Sequence, residues 1–142
     1  AKAGIIKGAS KKIRPIIRFL FPRLPPAPAE EHITTNIIAN VLGLGWAATP
    51  AGLRAMDELG KLEEEGEAPA PGPVRPKGIA SNEMCTFLII NISSLQLIPV
   101  NVIAYRSQYG SVNPAAIVGA GIISTAISTA VAVIYCKIMD RS

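Results

Sequence analysis

The pattern of apolar and polar positions divides the chain into two unlike halves. In the first half, apolar residues recur at helical spacing among polar ones. Residues 1–22 place Ile5, Ile6, Ile13, Ile16, Ile17, Leu20 and Phe21 between basic side chains. That predicts an amphipathic N-terminal helix, kinked at Pro15. Pro22–Ala29 holds four prolines in eight residues and reads as an extended connector. Ile33–Leu42 predicts a short helix with apolar Ile37, Ile38, Val41 and Leu42, and polar Thr34, Thr35, Asn36 and Asn40. Gly43 and Gly45 break it. Thr49–Pro50 has the form of an N-cap followed by proline at the first helical position. A second short helix is expected from there to about Leu59, so residues 33–60 form a helical hairpin.

The second half has a different pattern. Met84–Tyr105 and Ser107–Cys136 contain no charged residue, and Arg106 alone separates them. A membrane-spanning helix needs ~20 mostly apolar residues. Two transmembrane helices are therefore expected, at 84–105 and 115–136. Residues 61–83 between hairpin and spans form a polar loop, with Glu63, Glu64, Glu65 and Glu67 followed by P-A-P-G-P-V-R-P.

With spans beside it, the hairpin reads as re-entrant. Irregular backbone at membrane depth is tolerated only where protein or a water-filled cavity surrounds it. The expected fold is an all-α integral membrane protein, one domain over residues 1–142. It has an amphipathic N-terminal helix, a re-entrant helical hairpin and two transmembrane helices. The N-terminal helix is expected to lie along the membrane interface. The alternative is an ordinary amphipathic helix packed on a protein core.

Composition and charge sharpen this picture. Of 142 residues, 49% are apolar and only 17% charged, a balance that favours membrane insertion over a soluble domain. Lys2, Lys7, Lys11, Lys12, Arg14, Arg18 and Arg23 crowd the N-terminus with no acidic residue among them. Isoleucines, not aromatics, are interleaved with these charges, so the expected partner is membrane lipid and not nucleic acid. Of the 14 Lys and Arg residues, only Arg106 falls on the far side of the spans. The positive-inside rule then makes both termini cytoplasmic in a multi-pass protein. Tyr105, Tyr109 and Tyr135 fall near span ends, where an aromatic belt is expected.

The candidate chemistry is sparse. His32 has no cysteine near it, so no metal or cofactor site is expected. Cys85 and Cys136 read as buried free thiols. Gly43–Ala48 matches G-x-G-x-x-A, but no strand precedes it and no βαβ unit surrounds it, which excludes a dinucleotide site. The hairpin tip instead offers a helix start, which attracts anions or polar ligand groups. Asn91-Ile92-Ser93-Ser94 places an amide and two hydroxyls inside a span. Such groups face a cavity or hydrogen-bond to a neighbouring helix. Pro99 also deprives the Leu95 carbonyl of its helical partner, so this polar cluster lies beside weakened helix. No histidine or lysine is placed to activate a serine, and no enzyme is expected. In the second span Gly121, Thr125 and Thr129 recur every fourth residue, as do Ala120, Ser124 and Ser128, a spacing that allows close helix packing.

Two long motifs carry a resemblance. N-I-I-A-N-V-L-G-L-G-W-A-A-T-P-A-G-L-R-A-M-D-E-L and S-N-E-M-C-T-F-L-I-I-N-I-S-S-L-Q-L-I-P-V, with N-P-A-A-I-V-G downstream, resemble the spore maturation protein A family of bacterial membrane proteins. That family carries a nucleoside-recognition, or gate, domain. The likeness covers about residues 10–136. More distantly, the hairpin and the N-I-S-S span are similar to elements of concentrative nucleoside transporters. The resemblance implies a bacterial inner-membrane protein with a role in spore maturation, including dehydration of the spore core. It implies a solute site with Asn40, Gly43, Gly45 and Thr49 on one side and Asn91, Ser93 and Ser94 on the other. It also implies a partner, spore maturation protein B or a second copy of the chain, that completes a half-transporter for a small solute, nucleoside-like ligand or ion.

The chain departs from the family at Trp46, where a small polar Asn is usual, and the indole is expected to fill the hairpin tip. The family also carries a further hydrophobic helix before the region where this chain starts, which leads us to expect a fragment. Two other readings stay open: a structural or assembly subunit with no ligand, and a membrane-surface regulator acting through the basic helix.

Overall fold

The computed structural model describes residues 13–22, 24, 28–64, 78–93 and 96–139. The expected features at residues 1–12 and 65–77, in most of the proline-rich connector, and at Ser94 lie outside them. Every regular element among the described residues is helical. Residues 13–20 form α1. It is followed by α2 (Ala29–Val41), α3 (Gly45–Glu64), α4 (Asn82–Ser93) and α5 (Val100–Gln108). A short 3-10 turn, Pro114–Ala116, then leads into α6 (Ile117–Met139).

The hairpin is present, with shifted boundaries. α2 starts at Ala29, directly after Pro28. Ile33, Thr34, Thr35, Ile37 and Ile38 are β-branched and favour helix only weakly, so packing must hold this element. Its end is a Schellman turn. The Gly43 N–H donates to the Asn40 carbonyl at 2.9 Å and the Leu44 N–H to the Ala39 carbonyl at 2.8 Å. Gly43 takes the left-handed conformation this turn requires, with φ of 71°.

α3 then begins at Gly45, not at Thr49–Pro50. The Ala47 and Ala48 N–H groups both donate to the Leu44 carbonyl, which starts the helix four residues early. Pro50 therefore sits inside α3 and withholds a donor from the Trp46 carbonyl. The Thr49 hydroxyl bonds back to the Gly45 carbonyl at 3.1 Å and does not cap.

The core lies where α1, the hairpin and α4 meet. Ile17, Phe21, Ile33, Ala55, Leu59 and Phe87 are buried against one another. Burying a Phe or Ile side chain contributes about 1.5–3 kcal/mol, so this cluster anchors the assembly. With Phe21 just beyond its end, α1 contributes Ile17 to this core. Its opposite side leaves Ile16 and Phe19 more than half exposed. The Arg14 Nε donates to the Glu30 carboxylate at 2.9 Å and ties α1 to the start of α2.

The expected span 84–105 is two helices. Ser81 precedes α4, and its hydroxyl accepts from the Met84 N–H at 3.2 Å. The helix ends at Ser93, and α5 restarts at Val100. At ~1.5 Å per residue neither crosses a ~30 Å hydrocarbon layer alone. Pro99 accounts for the interruption, because it lacks an N–H and disfavours helix at the residue before it. The break is used: the Leu97 N–H donates at 2.9 Å to the Val41 carbonyl, one of the orphan acceptors at the end of α2. A Cβ added at Gly43 would overlap the Ile98 carbonyl oxygen. Hairpin tip and helix break are therefore fitted to each other.

α6 matches the second expected span. Pro114–Met139 is long and apolar enough to cross a membrane, and among the described residues no other helix is. It packs on α4, and Gly121 approaches the Pro99 ring. Its outward side carries Ile123, Ile127, Val131, Ile134 and Ile138, each about three-fifths exposed. That face points to membrane association.

Candidate functional site

α2 has a polar stripe within its apolar surroundings. Asn36 and Asn40 are four residues apart and so share one side of the helix. Asn36 is almost fully buried, at 1% exposure. Its Nδ2 donates to the Ala48 carbonyl of α3 at 2.8 Å. The Asn40 Nδ2 donates to the Asn36 Oδ1 at 3.2 Å and to the Asn91 Oδ1 of α4 at 2.6 Å. Three carboxamides from two helices thus form one relay that ends on a third helix. Buried amides need such partners, because an unmade bond costs about 1–3 kcal/mol.

Gly52 of α3 provides the room. A Cβ there would come within 2.9 Å of the Asn36 Nδ2 and 3.6 Å of the Asn91 Nδ2. The relay borders a pocket of about 280 Å³ between α2, α3 and α4. Gly45, Thr49, Leu53, Met56 and Phe87 complete much of its wall. Among the described lining residues none is ionisable. The arrangement can exchange hydrogen bonds with a neutral polar molecule and offers no charge to an ion.

The structure brings together four of the residues expected at a site: Asn40, Gly45, Thr49 and Asn91. Gly43 lies in the turn instead, against Ile98. The Ser93 hydroxyl bonds the Ile90 carbonyl at 2.7 Å and Thr129 of α6 at 3.3 Å, so it joins helices. Ser94 lies outside the described residues. Asn36 and Gly52 were missed. The signal for Asn36 was its four-residue spacing from Asn40 on a short, mostly apolar helix. Trp46 does not fill the tip: it is 80% exposed and absent from the described pocket lining. Cys136 is buried as expected, but Cys85 is exposed, and neither forms a disulfide. No group of three or more potential metal ligands occurs among the described residues.

A second, apolar pocket of about 140 Å³ lies between α1, α2, α4 and α6. Ile13, Ile16, Leu20, Ile37 and Val133 give it hydrocarbon walls.

Comparison with known proteins gives one strong result. Over 128 residues, 89% of the chain, the sequence is 41% identical to a protein of Bacillus subtilis (strain 168). The chain is similar to spore maturation protein A. It spans 60% of the length of spore maturation protein A. No family model matches the chain, and no solved structure matches it significantly.

Proposed function

We propose that this chain is a multi-pass membrane subunit with a role in spore maturation, and that it binds a small uncharged solute in the Asn36–Asn40–Asn91 pocket. It carries out no catalytic step. The observation that carries this reading is the amide relay, placed where the hairpin tip crosses an interrupted helix. Discontinuous helices of this kind form the substrate sites of many transporters. A carboxamide presents a donor and an acceptor side by side, which suits the lactam and amide edges of nucleoside-like solutes. A dicarboxylate such as dipicolinate, or a metal cation, would meet no compensating charge among the described lining residues.

In this reading the hairpin is re-entrant and belongs to a gate-type domain. α4 and α5 make one broken span and α6 makes a whole one. The crowded basic face, with both termini, is cytoplasmic, and α1 lies at that surface. The chain is half of a transporter, completed by spore maturation protein B or by a second copy. The test is uptake of labelled uridine into liposomes holding the chain with that partner. Saturable uptake that Asn91→Ala lowers at least tenfold supports the reading. Uptake that ignores Asn91→Ala, or no uptake of any nucleoside, defeats it.

Two observations favour an assembly subunit instead. The exposed isoleucines of α6 and the mutual satisfaction of the amides would serve packing alone. In that case the complex forms and remains indifferent to solute.

A further inference from the structure

The polar and the apolar pockets share three residues of their walls: Asn40, Phe87 and Asn91. Two of these are joined by the Asn40 Nδ2 to Asn91 Oδ1 bond at 2.6 Å. The third, Phe87, is 1% exposed and belongs to the core. A single inter-helix hydrogen bond and one ring therefore stand between two cavities on opposite sides of the α2–α4 contact. We propose that the Asn40–Asn91 amide pair is a closed partition, and that its opening joins the polar pocket to the apolar one as a single path.

The geometry around the pair is suited to movement. α2 and α4 touch each other far less than α2 touches α3, so the α2–α4 seam can part without unfolding the hairpin. When it parts, Asn40 keeps its bond to Asn36, and Asn36 keeps its bond to the Ala48 carbonyl. The hairpin side of the relay thus stays satisfied, and of the relay's own bonds only Asn40–Asn91 is broken. A solute with an amide edge could replace that bond from the polar side. The apolar pocket beyond is bordered by α1, whose contact with α6 includes the Lys137 ammonium 4.8 Å from the Phe19 ring centroid. α1 and α6 would be the outer wall of the path, and the amide pair its inner door. This inference rests on the reading of the polar pocket as a solute site.

Cysteine accessibility in liposomes holding the full chain separates the two ideas. In a background with Cys85→Ser and Cys136→Ser, Leu53→Cys reports on the polar pocket and Val133→Cys on the apolar one. A charged methanethiosulfonate reagent is the probe. With the pair intact, Val133→Cys should react slowly. Asn40→Ala should raise its rate roughly tenfold, the population shift expected from losing one hydrogen bond. Asn91→Ala should do the same while leaving the Asn40–Asn36 bond in place, so it serves if Asn40→Ala folds poorly. Equal rates at Val133→Cys in the intact protein and in folded Asn91→Ala overturn the partition. Protection of Leu53→Cys by uridine tests the solute site separately. If uridine gives no protection, the solute reading falls, and the Val133→Cys rates still decide whether the pair divides the cavities.

Discussion

α2 and α6 are both rich in β-branched residues, yet they bury opposite things. α2 puts Asn36 and Thr34 inside together with Ile33 and Ile38. α6 keeps only Ala132 and Cys136 buried and turns its isoleucines outward. In a water-soluble protein the second arrangement would be strongly unfavourable, and the first would need a reason. Taken together they describe a molecule whose interior is locally more polar than part of its surroundings. Lipid around α6 and a polar pocket beside α2 meet both conditions. Polar groups within membrane domains face an interior or a cavity for the same reason.

The largest effect on this comparison is expected at the crossing between the hairpin and the helix break. Gly43→Val places a β-branched side chain at φ of 71° and against the Ile98 carbonyl. The left-handed conformation alone costs about 1–2 kcal/mol, and the overlap forces backbone to move as well. Little folded protein should reach the membrane fraction, and normal yield with an unchanged thermal transition would show that the turn does not meet the break.

Ile127→Lys comes next. It puts a charge near the middle of α6, at a cost of about 2.5–3.5 kcal/mol to insertion at a helix centre. A glycosylation-mapping assay should show α6 inserting less efficiently. Unchanged insertion would mean that this face meets water.

Asn36→Ala should have a smaller effect, about 1–3 kcal/mol, from the lost amide and from the Asn40 group left without one partner. Thermal unfolding in detergent measures it, and a neutral result would remove the relay from the account of the core.

Lys61→Ala marks the floor. Hydrogen bonds from its ammonium to Asp57 and Glu58 raise the Lys61 pKa above its ordinary value. A raised cationic pKa adds stability that is present below the ordinary lysine range and is lost as pH rises through the folded value. The side chain is exposed, so solvent screens the effect. No resolvable change in midpoint is expected at neutral pH.

Much of this architecture was legible because it is written in local chemistry. Gly43 after an apolar run gave the turn, and the uncharged stretch after Pro114 gave α6. Asn40 and Asn91 stood out as amides in apolar surroundings. Other features depended on contacts that a linear reading does not contain. Thr49–Pro50 is a strong local cap signal, but the Schellman turn at Gly43 aligns the chain for helix before that signal is reached. Pro99 was seen to weaken a span, but not that the Val41 carbonyl supplies a partner for the freed backbone of Leu97. Asn36 reads as one of several polar residues on a short helix until Gly52 opens the space for it. Trp46 was expected to fill the tip, yet its side chain is 80% exposed and stands outside the described lining of the pocket.

The most direct test of the central claim is equilibrium dialysis of the purified chain, with the proposed partner, against labelled uridine at low and high salt. The account predicts saturable binding that Asn40→Ala abolishes, that dipicolinate does not displace, and that salt leaves unchanged. Absence of saturable binding, or binding that dipicolinate displaces and salt weakens, would contradict it.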